Sequence, residues 1–134
     1  MIERIVILAG LVVLSFAAYR LLQFCQVRRA AGIAVCDPLL ANMRRGVPAI
    51  LYFTTPTCAP CKTQQRPALQ RLVTELGDQV QVIEVNALEQ PDAADRWGVL
   101  SIPTTFILDG QGRPRQVNHG VTGASTLKHQ LQNL

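Results

Sequence analysis

The sequence TTPTCAPCKTQQRP, Thr54 to Pro67, contains two cysteines separated by an alanine and a proline. The run VPAILYFTT, which begins at Val47, is apolar over the length of a strand, as expected for a strand buried on both faces. Beyond Pro67 the apolar residues change to helical spacing. The cysteine pair, Cys58 and Cys61, is therefore predicted to lie where a buried strand gives way to a helix.

Strands and helices alternate on both sides of this junction. The predicted elements are, in chain order, a short edge strand at Ile33–Val35, a short helix with Asp37 as N-cap and Pro38 as first residue that ends before Gly46, the strand from Val47, a helix from Cys58 that is kinked at Pro67 and stopped at Gly77, a strand at Gln79–Ala87, a helix at Pro91–Trp97, a hairpin within 104–120, and a closing helix with Leu127, Leu131 and Leu134 on one face. Such alternation is typical of an α/β domain whose central sheet carries helices on both faces.

Four kinds of site use cysteines at this spacing: a zinc half-site, a haem attachment site, a structural disulfide and a reversible dithiol. Haem attachment requires a histidine directly after the second cysteine, where Lys62 stands. A zinc site requires four ligands, and the other candidates are distant in sequence: Cys25, Cys36, His119 and His129. A permanent disulfide would close too short a loop to stabilise the fold much. The reversible dithiol is favoured, and no metal or other cofactor is expected within the chain.

The position of Cys58 explains how such a dithiol would react. The unpaired amides and the dipole of the first helical turn stabilise an anion, so they favour the thiolate that attacks disulfides. Cys61 lies one turn later and can resolve a mixed disulfide formed at Cys58. Pro60 suits an early helical position, where no amide donor is needed, and Lys62 adds a positive charge nearby.

The N-terminal segment is apolar enough to enter a membrane. Ile5 to Tyr19 contains no charged residue, and the apolar stretch reaches twenty positions when it is extended to Phe24, about the length of a helix that spans a bilayer. We expect an uncleaved anchor that contacts the lipid bilayer through residues 2–24. A cleaved signal peptide, with small residues at Ser15 and Ala17, is the alternative.

The charge distribution separates this segment from the rest of the chain. Residues 1–30 contain four arginines and one glutamate, whereas residues 31–134 contain nine basic and eight acidic residues. We predict an anchor with a basic juxtamembrane segment over 1–30 and a globular domain over 31–134. Because the globular part has almost no basic excess, nucleic-acid binding is not expected. The arginines that follow the span predict that the domain is cytoplasmic. A tethered dithiol has its usual use outside the cytoplasm, where disulfides persist. Both orientations stay open.

From about Ile33 to Leu134 the sequence resembles thioredoxin. C-A-P-C differs from the common C-G-P-C only at Ala59, WGVLSIPTTFILDGQGR resembles the segment in which the family carries a cis proline before a strand, and GVTGASTLKHQL resembles the family's closing glycine and last helix. The resemblance implies a thioredoxin fold, a central mixed sheet with helices on both faces, preceded here by one transmembrane helix. It also implies that Pro103 is cis beside the cysteines, that Ile102 exposes backbone for a substrate strand, and that Gly120 lies near the site.

Four positions depart from the thioredoxin pattern. Tyr52 stands where the family usually has a buried aspartate that helps to deprotonate the second cysteine. Glu84 replaces a usual lysine and is a candidate for that proton acceptor, with a solvated strand-end residue as the alternative. Thr54 and Thr57 replace tryptophans, so we expect a less aromatic site and slower turnover of generic disulfides than a typical thioredoxin shows.

These patterns predict a membrane-tethered thiol–disulfide oxidoreductase. Cys58 and Cys61 are the expected catalytic residues, with disulfide- or dithiol-bearing proteins as substrates and an electron donor or acceptor as the second partner. The alternative is a tethered thioredoxin-fold module that binds a partner or delivers copper without turnover, although TCAPCKT supplies no methionine or histidine ligand. Cys36 is expected to be a buried or connector thiol and Cys25 to lie at the edge of the bilayer, with a second redox pair as the alternative.

Overall fold

The computed structural model describes residues 1–34 and 37–134. Its elements are, in chain order, helix α1 (Ile2–Ala34), a 3-10 turn (Pro38–Leu40), strand β1 (Ala49–Thr54), a π-helical turn (Cys61–Gln65), helix α2 (Arg66–Leu76), a second 3-10 turn (Gly77–Gln79), strand β2 (Gln81–Asn86), helix α3 (Pro91–Trp97), strands β3 (Thr104–Leu108) and β4 (Pro114–His119), and helix α4 (Ala124–Gln132). The strands form one sheet in the order β2-β1-β3-β4. Since β2 is parallel to β1 and the β3–β4 hairpin is antiparallel to β1, the predicted mixed sheet is confirmed.

Strand β1 forms the centre of the domain, and all six of its residues are buried. Its side chains alternate between the two faces of the sheet. Ala49, Leu51 and Phe53 join the core cluster that includes residues of α3 and of the last turns of α1. Ile50 and Tyr52 join the cluster on the opposite face, which includes residues of α2 and α4. Helices therefore cover both faces, as predicted.

Helix α1 continues from the apolar segment onto the domain without interruption. The part from Ile2 to Gly32 is long and apolar enough to cross a membrane, and its most apolar stretch is exposed throughout. Gln26 and Val27 are half-buried and Ala30 is buried, so one face of the last turns packs against the sheet. The apolar part of α1 and the turns that pack against the sheet thus belong to one helix.

One prediction about the connection between anchor and domain is wrong. Ile33, expected to begin an edge strand, belongs to helix α1, which continues to Ala34. The alanine-rich sequence after Arg29 favours helix and lets the backbone approach the sheet closely. Val35 and Cys36 lie outside the described residues, so the proposed pairing of Cys36 lies outside them too. The predicted domain boundary after residue 30 falls within α1 and stays a prediction.

Asp37 fastens the segment after α1 to α3. Its buried carboxylate accepts hydrogen bonds from the amide of Leu39 at 2.9 Å and from the indole of Trp97 at 2.9 Å, and the guanidinium of Arg96 donates to both oxygens at 3.3 Å. Burial is the largest single influence on the pKa of Asp37 and would raise it, but these hydrogen bonds together hold the pKa below its ordinary value. The predicted N-cap is confirmed, although the helix that it caps is only the turn Pro38–Leu40.

The helix after the cysteines widens before Pro67. The amide of Arg66 donates to the carbonyl of Cys61, five residues earlier, and this bond defines a π-helical turn. Proline lacks an amide hydrogen, and in a regular helix its ring would crowd the carbonyl four residues earlier. We attribute the wide turn to this conflict, so the predicted kink takes the form of a π-helical turn.

Two smaller differences concern the ends of elements. Strand β2 begins at Gln81 rather than Gln79, because Gly77–Gln79 forms a 3-10 turn. Leu127 is buried as predicted, but Leu134 is 44% exposed. Its expected place on the buried face of the closing helix is wrong because α4 ends at Gln132.

Candidate functional site

The candidate redox site lies at one end of the sheet. Because β1 and β2 are parallel and the β3–β4 hairpin is antiparallel to β1, the ends of β1, β2 and β4 and the beginning of β3 meet there. The loops at this end hold most of the residues that the sequence singles out: residues 55–60, 98–103 and 120–123. The topology thus brings together segments that are far apart in the chain.

Cys58 and Cys61 form a disulfide, with their Cα atoms 5.3 Å apart. Cys58 directly precedes the helix: its carbonyl accepts the amide of Lys62 at 3.4 Å, and its sulfur accepts the amide of Cys61 at 3.2 Å. This amide belongs to the first turn, whose unpaired donors stabilise negative charge. Cys58 is half-buried, whereas Cys61 is only 1% exposed. Solvent and partners therefore reach the first sulfur before the second.

The residues between and after the cysteines form the rim of the site. Ala59, Pro60 and Lys62 are exposed. Lys62 also lines a shallow cavity of about 240 Å³ beside the end of β1. Their predicted supporting roles stay predictions.

The proline loop lies across the same end of the sheet. The Ile102–Pro103 peptide bond is cis, as the resemblance implies. The carbonyl of Pro103 accepts the amide of Gly120 at 2.8 Å, which joins the proline loop to the loop after β4. Gly120 has φ of 80°, a left-handed conformation that favours glycine. Ile102 and Cys58 both pack against the core cluster that contains Cys61.

Tyr52 provides a neutral hydroxyl beneath the second cysteine. It is fully buried, and its hydroxyl lies 3.2 Å from Oγ1 of Thr54 and 3.5 Å from the carbonyl oxygen of Cys61. Burial raises the pKa of Tyr52 above its ordinary value, although the hydrogen bond with Thr54 acts in the opposite direction. A phenol with a raised pKa stays protonated at neutral pH, so Tyr52 cannot act as the carboxylate base that it replaces.

Glu84 lies at the surface rather than beneath the cysteines. It faces Tyr52 across the β1–β2 pair, and its Oε1 is 3.0 Å from Nη2 of Arg66. Both side chains are about half exposed and line the same shallow cavity as Lys62. Glu84 is therefore a surface carboxylate, and the shallow cavity that it lines with Lys62 lies beside the cysteine-bearing helix.

Gln65 is a site residue that the sequence reasoning missed. Its side chain is completely buried; its amide nitrogen donates to the carbonyl of Thr122 at 3.1 Å, and its amide oxygen accepts the Thr122 amide at 2.8 Å. The pair fastens the loop after Gly120 to the cysteine-bearing helix. The signal available in the sequence was a polar residue four positions before Leu69, on the apolar face of the helix.

The remaining candidate ligands lie away from the dithiol. Cys25 is exposed on α1. His119 and His129 are exposed. Over residues 1–34 and 37–134, no three cysteine, histidine or acidic side chains are grouped as a metal ion would require.

Comparison with curated proteins identifies relatives among the thioredoxins. The Thioredoxin family model matches residues 40–133. Thioredoxin 1 of Synechococcus elongatus is 36% identical over 70 residues, which cover 52% of this chain and 64% of that protein. The thioredoxin of Rhodospirillum rubrum is 43% identical over 65 residues, which cover 48% of this chain and 62% of that protein. The chain thus spans less than two thirds of the length of these relatives.

Comparison with solved structures identifies the same fold. Oxidized mitochondrial thioredoxin 3 from Saccharomyces cerevisiae superposes with a TM-score of 0.58 at 23% identity, covering 68% of this chain and 82% of that one. The family model extends over more than half of the chain, and within it lie the cysteine pair, the cis proline and Gly120. The chain belongs to the thioredoxin family.

Proposed function

We propose that this protein is a membrane-anchored thiol–disulfide oxidoreductase that exchanges disulfides with protein substrates. The observation that carries the proposal is the hydrogen bond of 3.2 Å from the Cys61 amide to the sulfur of Cys58. This amide would stabilise the Cys58 thiolate after reduction, because it belongs to the first turn of the helix. The half-exposed sulfur of Cys58 is the one that a substrate can approach.

The exchange proceeds in two displacements. The Cys58 thiolate attacks one sulfur of a substrate disulfide; a Cys58–substrate bond forms, the substrate bond breaks, and its other sulfur leaves as a thiolate. Cys61 loses its proton and attacks the sulfur of Cys58, which closes the Cys58–Cys61 disulfide and releases the second substrate thiolate. Two electrons pass from the protein to the substrate. A dithiol partner restores the reduced pair by the same steps in reverse. Where a partner disulfide instead keeps the pair oxidised, the Cys58–Cys61 disulfide oxidises substrate dithiols and is itself reduced.

The backbone around the cis proline supports binding of an extended substrate segment. Ile102 precedes Pro103, and the Pro103 carbonyl is held by Gly120 at 2.8 Å. A substrate strand that pairs with this edge would bring its disulfide to Cys58, as in other cases of strand addition. Ile102, Pro103 and Gly120 are accordingly the proposed substrate-binding residues.

Glu84 is the proposed proton acceptor for Cys61, acting through water in the cavity that it lines with Lys62. The proposal is supported by the neutral Tyr52, which leaves the buried side of the site without a carboxylate. Glu84→Gln should slow resolution of the mixed disulfide several-fold, most strongly below neutral pH, as measured by stopped-flow trapping. Glu89→Gln, an exposed carboxylate after β2, is the matched control, and equal rates for both variants would contradict the role.

The proposed anchor is the apolar part of α1, which contacts lipid through residues 2–24. Its length and exposure support a single span in the cell membrane. A signal peptide cleaved after Ala17 would remove most of this span, so the mass of the mature N-terminus distinguishes the two alternatives. Labelling of reduced Cys58 by an impermeant thiol reagent in intact cells distinguishes a cytoplasmic from an extracytoplasmic domain.

Covalent trapping tests the activity itself. Cys61→Ser leaves the Cys58 thiolate without its resolving partner, so the full chain in native membranes should accumulate mixed disulfides that reductant releases. Cys58→Ser is the matched control and should trap far less, because Cys61 is buried. Equal or absent trapping in the two variants, with both folded, would refute the proposed exchange.

A further inference from the structure

A cavity of about 900 Å³ lies between the apolar part of α1 and the beginning of β4. On the helix side it is lined by Phe16, Leu21 and Phe24, among others, and on the domain side by Arg115 and Gln116. Ligand cavities usually have volumes of about 300–1,000 Å³, so this one has room for a molecule much larger than a free ion. It is separate from the candidate redox site, because β4 begins at the end of the sheet opposite the dithiol loops.

Two arginines give this cavity a positive charge. Arg20 lines it from α1 and Arg115 lines it from β4. The guanidinium of Arg20 lies 5.2 Å from the centre of the Phe16 ring, so it is held beside a residue that lines the same cavity. Among the described residues that line the cavity, none is acidic. The cavity therefore favours an anionic ligand.

The guanidinium of Arg115 is only partly neutralised by its protein contacts. Its side chain is 55% exposed, and its Nε donates to Oδ2 of Asp109 at 3.1 Å. The same oxygen lies 3.7 Å from Nε of Arg113, so two guanidiniums share one carboxylate. The contact with Asp109 uses Nε and leaves the two terminal amino groups of Arg115 to face a ligand. Such a guanidinium can bind a phosphate through two parallel hydrogen bonds.

The apolar walls indicate which phosphate compound fits the cavity. Phe16, Leu21 and Phe24 are exposed and belong to the part of α1 that is proposed to contact lipid. A cavity lined by these residues opens onto the bilayer, and filling it with water would leave apolar surface hydrated. Arg20 is the first charged residue after the uncharged run Ile5–Tyr19. Its long side chain can hold the guanidinium at the level of the headgroups, where lipid phosphates lie.

Two neutral polar side chains line the same cavity. Nε2 of Gln23 donates to the hydroxyl of Tyr19 at 3.2 Å, and both residues are in the cavity wall. Their remaining donors and acceptors suit the oxygens that join a phosphate to its acyl chains, and tyrosine is enriched at this level of membrane proteins. The cavity thus combines apolar, neutral polar and cationic groups, as a phospholipid combines acyl chains, esters and a phosphate.

We propose that this cavity binds one anionic phospholipid of the surrounding membrane, with its phosphate on Arg20 and Arg115 and its acyl chains along Phe16, Leu21 and Phe24. The inference rests on the membrane anchor proposed above and is independent of the exchange chemistry. An anionic lipid is preferred to a zwitterionic one, because a cationic headgroup would meet two guanidiniums and no carboxylate in the cavity. Since the lipid contacts both α1 and β4, it fastens the domain to its own anchor.

Lipid retention by the full chain tests this preference. The chain in detergent is incubated with equimolar phosphatidylglycerol and phosphatidylcholine of identical acyl chains, and the bound lipid is identified by native mass spectrometry. The natural chain should retain a single phosphatidylglycerol at least fivefold more often than phosphatidylcholine, and Arg20→Gln and Arg115→Gln should each lower this ratio at least threefold. Arg20 lies outside the folded domain, so its variant stays informative if the loss of the Asp109 ion pair destabilises Arg115→Gln.

Arg29→Gln is the matched control, because Arg29 is an exposed arginine of α1 that does not line the cavity. The control should keep the preference of the natural chain. A ratio near one in the natural chain, or an equal loss in the control, would overturn the proposal.

Photocrosslinking in vesicles locates the lipid and distinguishes it from free phosphate. The full chain is reconstituted with phosphatidylglycerol that carries a photoreactive group next to its headgroup, and labelled peptides are mapped by mass spectrometry. The segment that contains Arg115 and Gln116 should be labelled at least threefold more than with the matching phosphatidylcholine, and excess inorganic phosphate should leave the labelling unchanged. Loss of labelling to phosphate, or an unlabelled segment in protein that floats with the vesicles, would overturn the proposal. Mixed-disulfide trapping by Cys61→Ser in the same vesicles reports on the proposed function separately.

Discussion

Replacing Gln65 with leucine should remove a large part of the stability of the domain. Leucine has a similar volume but cannot pair with Thr122, whose amide and carbonyl now bond to the Gln65 side chain at 2.8 and 3.1 Å. Each backbone group left unpaired in a buried position costs about 1–3 kcal/mol. The expected loss for the two groups is therefore about 2–6 kcal/mol in the free energy of unfolding, against a total of about 5–15 kcal/mol for a typical domain.

The measurement is urea unfolding of the full chain in detergent, followed by tryptophan fluorescence. Trp97 is the only tryptophan and is buried in the core beneath the sheet, so its emission reports on loss of tertiary structure. Gln64→Leu is the matched control, because Gln64 occupies the same π-helical turn but is exposed. A difference of less than about 0.5 kcal/mol between the two variants would show that water replaces the lost hydrogen bonds and that the buried pair does not stabilise the loop.

Three further variants test other parts of the structure. Asp37→Asn should lower the free energy of unfolding by about 1–3 kcal/mol at pH 7, since it removes the charge that Arg96 and Trp97 stabilise. Because folding lowers the pKa of Asp37, the stabilisation by this charge is complete above about pH 4 and declines below it. In urea unfolding at different pH values, the free energies of the variant and the natural protein should therefore converge only below about pH 4. Tyr52→Phe should lower the free energy of unfolding by about 0.5–1.5 kcal/mol, because it removes the hydrogen bond with Thr54. Because burial raises the pKa of Tyr52, the variant should leave the pH profile of disulfide exchange unchanged between about pH 6 and 9, and an altered profile would contradict this. Gly110→Ala should destabilise the domain by more than about 1 kcal/mol, because a Cβ there would lie 3.0 Å from backbone atoms of Gly46. Gly123 has open space around it, so the control Gly123→Ala should leave the midpoint of thermal unfolding unchanged.

The features that sequence reasoning predicted well are those encoded locally. The continuous apolar run of β1 predicted a buried strand, and the alternation of strands and helices predicted a central sheet covered on both faces. The mixed strand order was implied by the resemblance to the family. The cis bond before Pro103 depended on the resemblance to a family, because an isolated proline carries little information about its isomer.

The features that it missed depend on residues far apart in the chain. Gln65 and Thr122 are separated by 57 positions, and nothing near either residue indicates the other. The ion pair of Glu84 with Arg66 likewise depends on how α2 crosses the sheet. The end of α1 was misjudged because its last turns contact the sheet, and tertiary packing of this kind overrides local propensity.

The π-helical turn over Cys61–Gln65 has a consequence for alignment and redesign of the chain. The turn accommodates about one residue more than an α-helical turn does, so it absorbs one residue between the cysteines and the leucines of α2. Deleting Gln64 and converting the turn to a regular helix would therefore leave the cysteine pair in the same orientation relative to Leu69 and Leu72. A regular helix that kept all the residues would instead rotate the pair by about 100° and turn the dithiol away from the proline loop. The spacing from Cys61 to Pro67 is thus a better guide than overall identity for transferring this site to another helix.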